Sequence, residues 1–247
     1  MQQPQIHVPQ LSKFNKILIG VYVVAFILNS LMVQGGGINL LNLFGLSLAG
    51  VKNLAVFQVV TYPLIDRGLM QVIFNSLILW FIGSELEQRW GTKFYAKFLA
   101  VAVVAGAACY LLLASTVGIG GILNGMTGVN LALFVAYAII YSERTLLFML
   151  IFPMKAKYFC MLLAAIEIYM GMFSANGNAA WAHLASMLFG FLFLKMKSLQ
   201  ARGVTLSALK EEHHRNKMRQ KLKIVKDEEE APKTPKKPDP NNPKYWQ

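Results

Sequence analysis

Six apolar runs, separated by polar or glycine-rich breaks, fill almost the whole chain between Phe14 and Met196. In a bilayer such runs become helices, because a helix pairs every backbone N–H and C=O within its own segment. Their approximate limits are Phe14–Val33, Leu69–Ile82, Phe94–Ala114, Thr127–Tyr141, Tyr158–Phe173 and Ala179–Met196. With 55% hydrophobic and 15% charged residues and a mean hydropathy of +0.46, the chain is too apolar for a soluble domain of 247 residues. The predicted class is an all-α membrane protein of six transmembrane helices. Residues 38–66 are apolar but broken by Gly45, Gly50, Lys52 and Pro63, which predicts an interfacial loop with short helical pieces. The first run follows Lys13 and is long enough to stay as a membrane helix rather than act as a cleaved leader.

The formal net charge of +12 is unevenly spread. Beyond Lys195 the chain is basic and polar, and no basic motif is interleaved with aromatics, so membrane topology explains the charge better than nucleic acid does. Lys and Arg flank the start of the first run (Lys13, Lys16) and the ends of the second (Arg89, Lys93), fourth (Arg144, Lys155, Lys157) and sixth (Lys195, Lys197, Arg202). The connections after the third and fifth runs carry none. This asymmetry predicts a multi-pass protein with both termini cytoplasmic; the membrane expected is the inner membrane of a bacterium. Four segments are expected: a cytoplasmic N-terminus over 1–13, the membrane domain over 14–196, a basic juxtamembrane helix over 197–226 and a disordered, proline-rich tail over 227–247. Cys109 and Cys160 lie inside apolar runs and read as packing residues, so no disulfide, metal or cofactor is expected.

The fourth run is the unusual one. About fifteen residues at ~1.5 Å each reach roughly 22 Å, short of a hydrocarbon core of ~30 Å. Its start, Gly125-Met126-Thr127-Gly128, therefore lies below the surface, where a broken helix is tolerated only against protein or a wet cavity. Polar groups at that depth are functional candidates. Gln71 and Asn75 share one face of the second helix, four residues apart. His183 begins the sixth helix, and Ser186 and Gly190 continue a small face that admits a neighbouring backbone. Were the fourth helix packed there, the hydroxyl of Thr127 would stand beside an imidazole able to take its proton. The amides of Gln71 and Asn75 would then serve as oxyanion donors. The bland readings are that Thr127 bonds its own helix, that His183 packs, and that Gln71, Asn75 and Asn130 join helices. Glu167 on the fifth helix has no evident basic partner, and a structural role is expected for it.

These residues carry a resemblance. Gly125-Met126-Thr127-Gly128, Ala182-His183 with Ser186 and Gly190, and Phe74-Asn75-Ser76-Leu77 with Trp80-Phe81-Ile82-Gly83 and Leu86-Glu87-Gln88-Arg89-Trp90-Gly91 resemble, in order and spacing, the motifs of the rhomboid intramembrane serine proteases. The likeness covers roughly Phe14 to Met196. It implies a six-helix rhomboid-like bundle, a Thr127–His183 dyad, oxyanion donors at Asn75 and Gln71, and a site shaped by Gly125, Gly128, Ser186 and Gly190. It also implies transmembrane helices of other proteins as substrates or clients. The chain departs from the pattern at five places, one of them Ser186, which stands at a customary glycine. Threonine stands for the usual serine, Asp66 and Gln71 occupy the places of two histidines, and Phe57-Gln58 replaces a Trp-Arg pair. The extra methyl of Thr127 restricts χ1 at a crowded contact.

Two functions follow: an intramembrane peptidase using Thr127 and His183, or an inactive pseudoprotease that binds transmembrane helices. A transporter ranks below both, because the sequence shows no inverted repeat and no acidic relay beyond Glu167.

Overall fold

The computed structural model describes residues 10–201, apart from 119–120, 149–151 and 175–176. The sequence readings for residues 1–9, for the basic segment beyond 201 and for the tail over 227–247 lie outside the described residues. The chain divides into two compact units, Met1–Met196 and Lys197–Gln247.

The first helix, α1, spans Lys13–Gln34 and ends at a Gly35-Gly36-Gly37 turn. The long connection that follows holds three short helices, α2 (Leu40–Phe44), α3 (Leu48–Lys52) and α4 (Gln58–Thr61), then a 3-10 turn at Tyr62–Leu64. Pro63 enters that turn, where its missing N–H costs nothing. Gln58 holds the connection together. Its amide donates to the carbonyl of Leu43 at 3.1 Å and accepts from the backbone N–H of Ser47 at 3.2 Å.

The second span is longer than its apolar run. After α5 (Leu69–Ile78) the chain passes through one π turn (Leu79–Gly83) and continues as α6 (Ser84–Trp90). Glu85, Glu87 and Arg89 thus belong to the helix itself. A set of converging donors explains why the buried Glu87 is accepted there. Glu87 takes hydrogen bonds from Ser12 Oγ, from Asn15 Nδ2 at 3.1 Å and from Thr92 Oγ1 at 2.8 Å. Tyr95 Oη donates to Asn15 Oδ1 at 2.9 Å, closing the network. Gly83 allows this convergence, since a Cβ there would stand 2.6 Å from Tyr95 Oη.

Helix α7 (Thr92–Val117) leads to α8 (Thr127–Ile140), the shorter apolar helix expected from the sequence. Helix α8 is the centre of the bundle. Gly128 through Leu133 and Val135 through Tyr137 are all buried, so every face of the helix is covered, as expected for one surrounded by others. A short antiparallel hairpin follows, β1 (Thr145–Phe148) with β2 (Phe152–Lys155), pairing Thr145 with Lys155. The sequence had indicated only a charged connection here. Helices α9 (Ala156–Phe173) and α10 (Gly177–Ala201) complete the fold. Among the described residues, five helices are long and apolar enough to cross a membrane, Lys13–Gln34, Leu69–Trp90, Thr92–Val117, Ala156–Phe173 and Gly177–Gln200, and α8 is the sixth, shorter member. The architecture is that of an all-α, multi-pass membrane protein.

Candidate active site

The site begins at Gly125, whose φ of +87° is a conformation L side chains rarely adopt. A Cβ at that position would also lie 2.7 Å from Asp66 Oδ2. Glycine therefore meets two demands at once, turning the chain into α8 and letting the loop before α5 press against it. The Gly125 N–H donates to the carbonyl of Tyr62 at 3.0 Å. Thr127 opens the helix two residues later and is half-buried.

Gln71 and Asn75 share one face of α5 but have different surroundings. Gln71 is exposed, and its Nε2 donates to Thr127 Oγ1 at 3.3 Å. Asn75 is buried, with its Nδ2 donating to Tyr22 Oη at 2.9 Å and Asp66 Oδ2 at 3.2 Å. Its Oδ1 accepts from Asn130 Nδ2 at 2.8 Å. Asn130 thereby joins α8 to α5. Asp66 is the hub the sequence did not disclose. Fully buried, it accepts from Tyr22 Oη at 2.6 Å, from the Arg67 N–H at 3.0 Å and from Asn124 Nδ2 at 3.4 Å, besides Asn75. Burial pushes its carboxyl pKa up, and the donors around it pull the other way.

His183 lies close to the first turn of α8. A Cβ on Gly128 would meet Ser186 Oγ at 3.1 Å and His183 Cδ2 at 3.2 Å. The absence of a side chain at Gly128 lets α8 and α10 approach this closely without displacing either neighbour. Ser186 Oγ donates to the carbonyl of Ala102 at 2.8 Å, tying the same face of α10 to α7. Gly190 continues the contact one turn on, where a Cβ would lie 3.2 Å from that of Ala132. Thr127 and His183 thus belong to one helix contact, although no hydrogen bond joins them among the described residues. The imidazole bonds elsewhere. Its Nδ1 stands 3.1 Å from Glu167 Oε2 on α9. Glu167 therefore has the partner that its sequence context hid. Sixteen residues and an interhelical turn separate the two, so helical spacing along one segment gives no signal for the pair.

The fold is a multi-pass membrane bundle in which a glycine-flanked hydroxyl and a histidine belong to one helix contact. Comparison with protein families matches residues 53–199 to the Rhomboid domain. The chain belongs to the rhomboid family. No curated protein matches it.

Proposed function

We propose that this protein is a peptidase of the bilayer, cutting transmembrane segments of other membrane proteins with Thr127 as nucleophile and His183 as base. The observation that supports the reading is the close approach of α10 to the first turn of α8, where a Cβ on Gly128, next to Thr127, would lie 3.2 Å from His183 Cδ2. Attack of Thr127 Oγ1 on a peptide carbonyl forms the C–O bond while His183 Nε2 takes the hydroxyl proton. The proton passes to the leaving amine as the C–N bond breaks, and water then hydrolyses the acyl-threonine by the same base. Gln71 is available at the mouth to donate to the oxyanion; Asn75 joins it by exchanging its bond to Asp66 for one to substrate. Gly125, Gly128, Ser186 and Gly190 shape the contact.

The orientation that fits this reading has both termini in the cytoplasm and Thr127 opening to the outer side of a bacterial inner membrane. Lys13, Lys16, Arg89, Lys93, Arg144, Lys155 and Lys157 all flank helix ends opposite to the start of α8.

One observation favours the second reading, an inactive scaffold that binds transmembrane helices. Thr127 Oγ1 bonds Gln71 rather than His183, and its methyl limits rotation toward the ring. Purified protein in liposomes with a generic transmembrane substrate separates the two. Cleavage lost in both Thr127→Ala and His183→Ala supports the peptidase, as does labelling of Thr127 by a fluorophosphonate. Absence of native cleavage, with activity appearing in Thr127→Ser, supports the scaffold.

A further inference from the structure

We infer that Glu167 is a positioning residue that completes a Thr127–His183–Glu167 relay, holding the imidazole in the tautomer the chemistry requires. The inference rests on the peptidase reading for its catalytic consequence, but its structural core is independent of turnover.

The two edges of the ring face different helices. Nδ1 meets Glu167 Oε2 on α9 at 3.1 Å. Cδ2, on the opposite edge and bonded to Nε2, lies against the first turn of α8. When Glu167 is ionised its carboxylate has only acceptors to offer, so the hydrogen bond then takes its proton from Nδ1. That leaves the Nε2 lone pair on the edge facing the helix that carries Thr127. In the course of attack Nε2 receives the hydroxyl proton, the ring becomes an imidazolium, and the Nδ1 proton stays where it is. Glu167 then faces a positive charge across a formed hydrogen bond. Both side chains are mostly shielded from water, with 17% of His183 and 15% of Glu167 exposed, so the interaction is weakly screened.

A purely mechanical reading of the pair is that it fastens α9 to α10. That task already has another bond: Trp181 Nε1 donates to the carbonyl of Gly171 at 3.1 Å, between the same two helices. An acidic group on a lipid-facing helix is costly, and a fastener needs no carboxylate. A base that must present one chosen nitrogen does.

The test uses full-length protein with 15N-labelled histidine in lipid nanodiscs, with His183 assigned by difference against His183→Gln. Nitrogen shifts should report neutral His183 protonated on Nδ1. In Glu167→Gln, whose amide can donate to Nδ1, the Nε2-protonated form should appear, and kcat should fall roughly 100-fold or more with KM changed less than about twofold. Glu167→Met removes the acceptor altogether and should behave alike. A native ring protonated on Nε2, or a Glu167→Gln protein with native tautomer and native kcat, overturns the inference. Should either variant fail to fold, the native spectrum decides by itself. Should native protein cleave nothing while the tautomer follows Glu167, the peptidase reading falls and the positioning role stands. Cleavage with a tautomer indifferent to Glu167 gives the reverse.

Discussion

Tyr22 Oη donates to Asp66 Oδ2 across 2.6 Å, joining the first transmembrane helix to the loop beneath the candidate nucleophile. Both groups are fully buried. The same tyrosine oxygen accepts from Asn75 Nδ2, so one phenol serves a carboxyl and an amide at once. Tyr22→Phe should cost about 1–3 kcal/mol, the penalty for leaving buried partners unpaired. Denaturant unfolding of the reconstituted protein measures it. A change within error would mean that water replaces the phenol.

Asp66 should make stability depend on pH with an uncommon sign. Burial raises its pKa above 3.8, so the native state keeps this proton after the unfolded chain has lost it. The native state then binds more protons, and stability falls as pH rises from 3.8 toward the raised value. Below 3.8 the contribution is complete. Melting temperatures of native protein and Asp66→Asn, compared at several pH values, should show the advantage of the native protein shrinking as pH rises across this interval. A constant difference would contradict it.

Glu143 should show the opposite behaviour at the hairpin. Lys155 and Lys157 donate to its two oxygens and hold its carboxyl at about 2. A lowered pKa gives stability present above 4.5 and lost as pH falls toward 2. The carboxyl is exposed, so salt should weaken the effect. An NMR titration should place the midpoint near 2 in native protein and move it upward in Lys155→Met/Lys157→Met.

Gly128→Ala separates site geometry from folding. Its methyl would meet Ser186 Oγ and His183 Cδ2 at little more than 3 Å, so α10 must give by a few tenths of an ångström. The bundle should persist while fluorophosphonate labelling of Thr127 drops roughly 100-fold, since misplacement on the ångström scale costs about that much. Native labelling in this variant would show that the helix contact does not set the site.

At the far end of the bundle, Glu87→Ala should be among the most damaging single changes. It strips an acceptor from Ser12, Asn15 and Thr92 together. Roughly 3 kcal/mol of stability should be lost, because Asn15 is fully buried and Ser12 half-buried and neither can turn freely to water. Thermal unfolding by intrinsic fluorescence checks this.

Much of this protein was legible from residue order. The lengths of apolar runs and the glycines and prolines between them are local quantities, so the six helices, the short fourth one and the broken loop before α5 could be read directly. The glycine-flanked Thr127 and the His183-Ser186-Gly190 face were likewise visible, because a helical period puts them in register within single segments. Even there the π turn escaped notice, since one extra residue in a helical turn leaves no compositional mark, and the second span runs on to Trp90.

Tertiary structure alone decided which side chains meet. Asp66, read as a departure from a motif, is the hub that joins Tyr22, Asn75 and Asn124. Asn75, read as an oxyanion donor, spends its hydrogens within that hub. Glu167, read as lacking a partner, lies against His183. Each of these depends on how neighbouring helices are rotated about their axes and how deep they sit relative to one another. Hydrophobic periodicity says which face of a helix is buried, but not which residue of another helix that face will touch.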